Sequence, residues 1–116
     1  MSKCICLKTL ELPENVHVFD PFSYFEMLVV LKGASQVLTD SGGLQKEAYW
    51  AKKPCITIRS ETEWVETLHD NWNMLVDANS SAIKDASAVQ VSESSWISLY
   101  GDGKAGEKIA QIIATA

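Results

Sequence analysis

With 116 residues, 47% hydrophobic and 22% charged, the chain has the composition of one globular domain with a modest core. A net charge of -5 and a pI near 4.9 argue against nucleic-acid binding, which draws its affinity from clustered Lys and Arg. No apolar run approaches the ~20 residues of a membrane span and the N-terminus lacks the charged, apolar and small-residue order of a secretory signal, so no membrane partner and a cytoplasmic location are expected.

Met1 to Leu10 carry the continuous apolar run Cys4-Ile5-Cys6-Leu7, which fits a strand or a helix turn equally. Three cysteines, Cys4, Cys6 and Cys55, make an odd set, and free thiols are expected. Cys4, Cys6 and His17 match no common zinc spacing, and neither a metal nor a cofactor is expected. Asn15 to Phe19 has strand character, closed as a turn by Asp20-Pro21. Ser23 and Glu26 then have capping-box spacing and predict a helix over Tyr24 to Lys32, with Gly33 as its stop.

Val37 to Thr39 reads as a strand, Ser41-Gly42-Gly43 as a tight loop, and Leu44 to Ala51 as a helix that ends before Lys53-Pro54. At such a junction the first helical N–H groups lack intrahelical partners and the helix dipole adds partial positive charge, so an anion is favoured. Two glycines also remove both Cβ atoms where a phosphate would need the backbone close. The same spacing fits an ordinary strand-to-helix turn whose glycines only relieve sterics. Glu47, early in the helix, is favoured there by the dipole with or without a ligand.

Cys55 to Ile58 is a third β-branched run, and Ser60 to Glu63 repeats the capping-box spacing, predicting a helix through Leu68. Asn71 tolerates a left-handed backbone. Asn73 to Val76 reads as a further strand, Ser80 as the cap of a helix over Ala82 to Ala88, and Lys104 to Thr115 as a last helix with Ile109, Ile112 and Ile113 on one face. Alternating strands and helices imply an α/β fold, a parallel sheet of about four strands covered by helices.

Several ordered motifs go beyond this pattern. Thr39-Asp40-Ser41-Gly42-Gly43-Leu44-Gln45-Lys46-Glu47-Ala48, Lys53-Pro54-Cys55 and Arg59-Ser60-Glu61-Thr62-Glu63-Trp64-Val65-Glu66-Thr67 resemble the C-terminal part of nonhydrolysing UDP-N-acetylglucosamine 2-epimerases. Asn15 to Pro21 and Tyr100 to Ala105 extend the likeness, which covers about Leu12 to Ile113. The resemblance implies part of a Rossmann-like domain of GT-B type that binds UDP or a UDP-sugar. Ser41, Gly42 and Gly43 would then hold the diphosphate and Glu47 the ribose hydroxyls, a role suited to a carboxylate that accepts two hydrogen bonds at once. Uracil would lie near Asp20 to Met27, with Phe22 offering backbone and Met27 a thioether that packs on a flat ring; the plain alternative is that Phe22, Phe25 and Met27 are core. Thr62-Glu63-Trp64-Val65-Glu66 resembles members acting on UDP-diacetamido-uronic acids as well as on UDP-GlcNAc.

The resemblance also marks what this chain lacks. In the family, epimerisation at C2 eliminates UDP to a 2-acetamidoglucal and readds it to the other face, with acid and base carboxylates mainly from the N-terminal domain. Those motifs are not in this sequence, so no catalytic residue is assigned and the chain alone is expected to be inactive, as a fragment or a truncated product of the enzyme. The alternatives are a UDP-binding lobe of a GT-B glycosyltransferase and a non-catalytic relic. Arg59 can reach an anion or pair with Glu61 or Glu63. Trp50, Trp64, Trp72 and Trp96 read as packing residues, and neither His17 nor His69 has a neighbouring nucleophile. With the family's 3-2-1-4-5-6 strand order, the Val16 to Phe19 and Val37 to Thr39 strands lack their usual intervening neighbours. Either they close on each other or a second copy pairs with them, and a homodimer is the expectation.

Overall fold

The computed structural model describes residues 11–116, so the readings on Cys4 to Leu7 lie outside the described residues. These residues fall into two compact units, the first ending at Val30 and the second running from Leu31 to Ala116.

In the first unit Val16 N–H donates to Pro13 O at 3.0 Å. That turn occupies the start of the segment read as a strand, and Asn15 to Phe19 forms no ladder, so the expected sheet of about four strands has three among the described residues. Helix α1, Tyr24–Gly33, begins at the expected capping box: Ser23 N–H donates to Glu26 Oε1 at 3.1 Å, and Glu26 N–H to Ser23 Oγ at 3.3 Å. The Ser23 hydroxyl and then its N–H hold the Glu26 carboxyl below its ordinary pKa.

The second unit is built on strands β1 (Val37–Thr39), β2 (Cys55–Thr57) and β3 (Asn73–Leu75), all parallel in the order β1-β2-β3. Val37, Cys55 and Asn73 are in register, as are Thr39, Thr57 and Leu75. Central β2 is buried along its whole length, as its unbroken Cys-Ile-Thr run requires of a strand covered on both faces. Burial raises the Cys55 thiol above its ordinary pKa, and a buried free thiol there is an inert packing group.

Helix α2, Gly42–Trp50, connects β1 to β2 and starts at the glycines rather than at Leu44. It ends before Pro54 as expected, in a Schellman arrangement: Lys52 is left-handed (φ 59°), its N–H donates to Tyr49 O, and Lys53 N–H donates to Ala48 O, each at 2.9 Å. On the sheet side Ala48 and Tyr49 are fully buried, and Tyr49 packs on Trp72 (6.1 Å between centroids), Trp96 (5.6 Å) and Tyr100 (5.8 Å). Trp72 and Trp96 are therefore packing residues, whereas Trp50 is 61% exposed.

The helix expected from Ser60 to Leu68 is instead a 3-10 segment, Val65–Asn71. Its capping box does not form: the Glu63 carboxylate is taken by Arg59 at 3.0 Å, and the neighbouring Thr62 Oγ1 donates to Gln45 Oε1 at 2.6 Å, tying the segment to α2. Asp70 and Asn71 leave it in left-handed conformations (φ 50° and 64°), the second as its sequence implied. Helix α3, Ser80–Ser87, is capped by Asn79 rather than Ser80, through Ala82 N–H to Asn79 Oδ1 at 2.9 Å. Helix α4, Ala105–Thr115, is exposed throughout, with Ile109, Ile112 and Ile113 at 57%, 68% and 70%.

Candidate functional site: the Ser41 to Glu47 loop and helix start

The carboxyl end of β1 runs through Thr39 and Asp40 into the first turn of α2. Thr39 Oγ1 accepts Ser41 N–H at 3.0 Å, and Ser41 Oγ caps the helix by accepting Leu44 N–H at 3.4 Å. As an acceptor in that bond, the Ser41 hydroxyl still has its own proton to donate.

The two glycines have different surroundings. A Cβ on Gly42 would overlap the Glu63 carboxylate, with Arg59 Nη1 3.8 Å away, so a side chain there would displace the half-exposed Arg59–Glu63 pair. At Gly43 a Cβ would meet nothing within 4 Å, and its φ is not in the left-handed region, so the fold does not need glycine there. A helical glycine costs about 0.5–1 kcal/mol relative to alanine. What the absent side chain leaves is open approach to the backbone at the positive end of the helix. Glu47 lies four residues on from Gly43, hence on the same helix face, and is partly buried.

Three residues outside the expected set shape this loop. Arg59 pairs with Glu63, and the two place a carboxylate and a guanidinium beside Gly42. Trp64 is more than packing: its Nε1–H donates to Gly42 O at 2.8 Å. Gln45 is fully buried, accepting from Thr62 Oγ1 at 2.6 Å and Asn73 Nδ2 at 3.0 Å while its Nε2 donates to Ser41 O at 3.3 Å. The signal for Gln45 was available: it shares a helix face with Ala48 and Tyr49, and an amide on an apolar stripe demands partners. Lys46 Nζ lies 5.0 Å from the Trp64 ring centroid and 4.9 Å from that of Tyr100. Tyr100 in turn donates its hydroxyl to Glu66 Oε1 at 2.8 Å; that bond, after the Glu66 N–H, lowers the Glu66 carboxyl pKa.

Phe22 and Met27 belong to the first unit, both partly buried, with Phe22 5.5 Å from the Phe19 ring. Phe25 is 76% exposed and so is not core. Among the described residues no group of His, Cys, Asp or Glu is placed to hold a metal ion, and no helix is long and apolar enough to cross a membrane.

The sequence profile of the UDP-N-acetylglucosamine 2-epimerases matches residues 1–114. The chain belongs to this family. A UDP-N-acetylglucosamine 2-epimerase homolog of Methanococcus maripaludis is 40% identical over 101 residues, covering 86% of this chain and 28% of that protein. The UDP-2,3-diacetamido-2,3-dideoxy-D-glucuronate 2-epimerase of Pseudomonas aeruginosa is 40% identical over 110 residues, covering 93% of this chain and 31% of that one. Among solved structures, the UDP-GlcNAc 2-epimerase of Methanocaldococcus jannaschii superposes with a TM-score of 0.84 at 35% identity, over 95% of this chain and 31% of that one. The same enzyme in complex with UDP-GlcNAc and UDP gives 0.78. This epimerase-family chain thus spans only 28% to 31% of the relatives it matches, and the parallel α/β arrangement expected from its sequence is the fold it shares with them.

Proposed function

We propose that this chain binds the UDP moiety of a UDP-2-acetamido sugar, as the UDP-binding part of a 2-epimerase acting at C2. The Ser41 hydroxyl and the Gly42 and Gly43 N–H groups donate to the diphosphate, and the Glu47 carboxylate accepts the two ribose hydroxyls. Phe22 and Met27 are assigned to uracil on the family resemblance. The observation that carries this reading is Gly43: a glycine in the first turn of α2 that no neighbouring atom requires, one turn before a carboxylate on the same face. A M. jannaschii relative crystallised with UDP-GlcNAc and UDP supports the choice of ligand. Calorimetric titration with UDP, UMP and UDP-GlcNAc tests it. Binding of UDP over UMP is expected, and heat with none of the three would mark an inert domain.

The chain alone is expected to leave UDP-GlcNAc unconverted. Binding the diphosphate does not supply the proton transfers at C2, and no acid–base pair is assigned here. Conversion to the C2 epimer by pure protein, followed by NMR, would contradict this.

We also propose a homodimer. Leu38 on edge strand β1 is 51% exposed, and the isoleucine face of α4 is bare. Among the described residues β1 has a partner on one side alone, and such an edge and an apolar helix face both gain by meeting a second copy. Sedimentation equilibrium at micromolar concentration should give a dimer mass; a monomer throughout would exclude it.

A further inference from the structure

We propose that Gln45 and Trp64 are positioning residues that aim the Gly42 and Gly43 N–H groups; this rests on the reading of the loop as a diphosphate cradle. In a trans peptide the C=O and N–H point in opposite directions, so holding one aims the other. The Ser41 carbonyl accepts from both the backbone N–H and the side-chain Nε2 of Gln45, each at 3.3 Å. Those bonds fix the peptide whose N–H belongs to Gly42. The Gly42 carbonyl accepts Trp64 Nε1–H at 2.8 Å, fixing the peptide whose N–H belongs to Gly43. A Gly-Gly pair has no side chains of its own to restrain these planes, so Gln45 Nε2 and Trp64 Nε1–H add to what the helical bonds of α2 supply.

The two clamps form one device. Gln45 Oε1 accepts from Thr62 Oγ1 at 2.6 Å, and Thr62 Oγ1 accepts Trp64 N–H at 3.1 Å. Hydrogen bonds therefore run from Ser41 O through Gln45, Thr62 and Trp64 back to Gly42 O, closing a ring around the glycine pair. Asn73 Nδ2 braces it from β3 at 3.0 Å, and the Trp64 ring is held edge-on by Tyr100 at 6.0 Å. Gln45 is fully buried and Thr62 is 9% exposed, so water competes little for the inner bonds.

Trp64→Phe keeps a six-membered aromatic ring but removes the Nε1–H donor together with the pyrrole half of the indole, and the uridine comparison separates the lost donor from the lost packing. With the full chain, UDP affinity should fall about 5- to 10-fold, the worth of one net hydrogen bond, while uridine, which has no phosphate, binds unchanged. In the ligand-free variant the Gly43 amide order parameter should fall while those of β2 stay. Equal losses for UDP and uridine, or an unchanged UDP affinity, would overturn the proposal. If the wild-type chain binds neither ligand, the cradle reading fails; the Gly43 order parameter then decides the clamp, a fall supporting it and no change overturning it.

Discussion

Asn73→Ala should lower the unfolding free energy by about 3 kcal/mol, with the urea midpoint dropping at unchanged slope. Asn73 is 3% exposed and its amide is a crossroads: Oδ1 accepts Thr57 Oγ1–H at 2.5 Å, and Nδ2 donates to Gln45 Oε1 and Thr67 Oγ1, both at 3.0 Å. Truncation leaves the fully buried Thr57 hydroxyl with only the weak Cys55 sulfur 3.7 Å away as an alternative acceptor. A buried polar group without a partner costs about 1–3 kcal/mol, and the lost volume adds to that. Gln45 and Thr67 keep other partners, in Thr62 and in the Trp64 carbonyl, so the effect should stop short of the sum of three bonds. A midpoint within error of wild type would show that this network does not hold β2, β3 and the 3-10 segment together.

Glu47→Ala should weaken UDP binding by roughly 1.5–3 kcal/mol, about one to two decades in affinity, by removing a charged acceptor from two hydroxyl donors. Glu47 is on the Gly43 side of α2 and only partly buried, so its truncation opens no core cavity and the stability should change little. Gly43→Ala separates the two properties further. With space around the added methyl and a helical backbone, it should raise stability by up to about 1 kcal/mol. The same methyl would stand where the diphosphate approaches, so UDP affinity should fall. Glu47→Ala or Gly43→Ala binding UDP as tightly as wild type would remove that residue from the site.

The loop was legible in the sequence because its parts are adjacent: a short β-branched strand, a Ser-Gly-Gly turn and good helix formers predict β1, the turn and α2 from local preference, though the helix takes in both glycines and Ser41 caps it. The same held for the Ser23–Glu26 capping box, whose two bonds join residues three apart. The 60–68 segment was misread because the spacing of Ser60 and Glu63 is local evidence, while Glu63 is taken by Arg59 and the adjacent Thr62 by Gln45, 17 residues earlier. Val16 to Phe19 was misread for a related reason. Alternation and β-branching describe a chain able to pair, yet a strand exists only where a neighbour accepts its hydrogen bonds, and Pro13 takes the Val16 N–H. Trp64 gave no sign of its role, because the carbonyl it meets lies 22 residues earlier.

The claim that UDP sits on the first turn of α2 is tested most directly by titrating isotopically labelled full-length chain with UDP and following its amide resonances. Saturable shifts are predicted to be largest at Gly42, Gly43 and Leu44, with Glu47 next and the α4 amides unmoved; saturable binding that leaves Gly42 and Gly43 unchanged would contradict it.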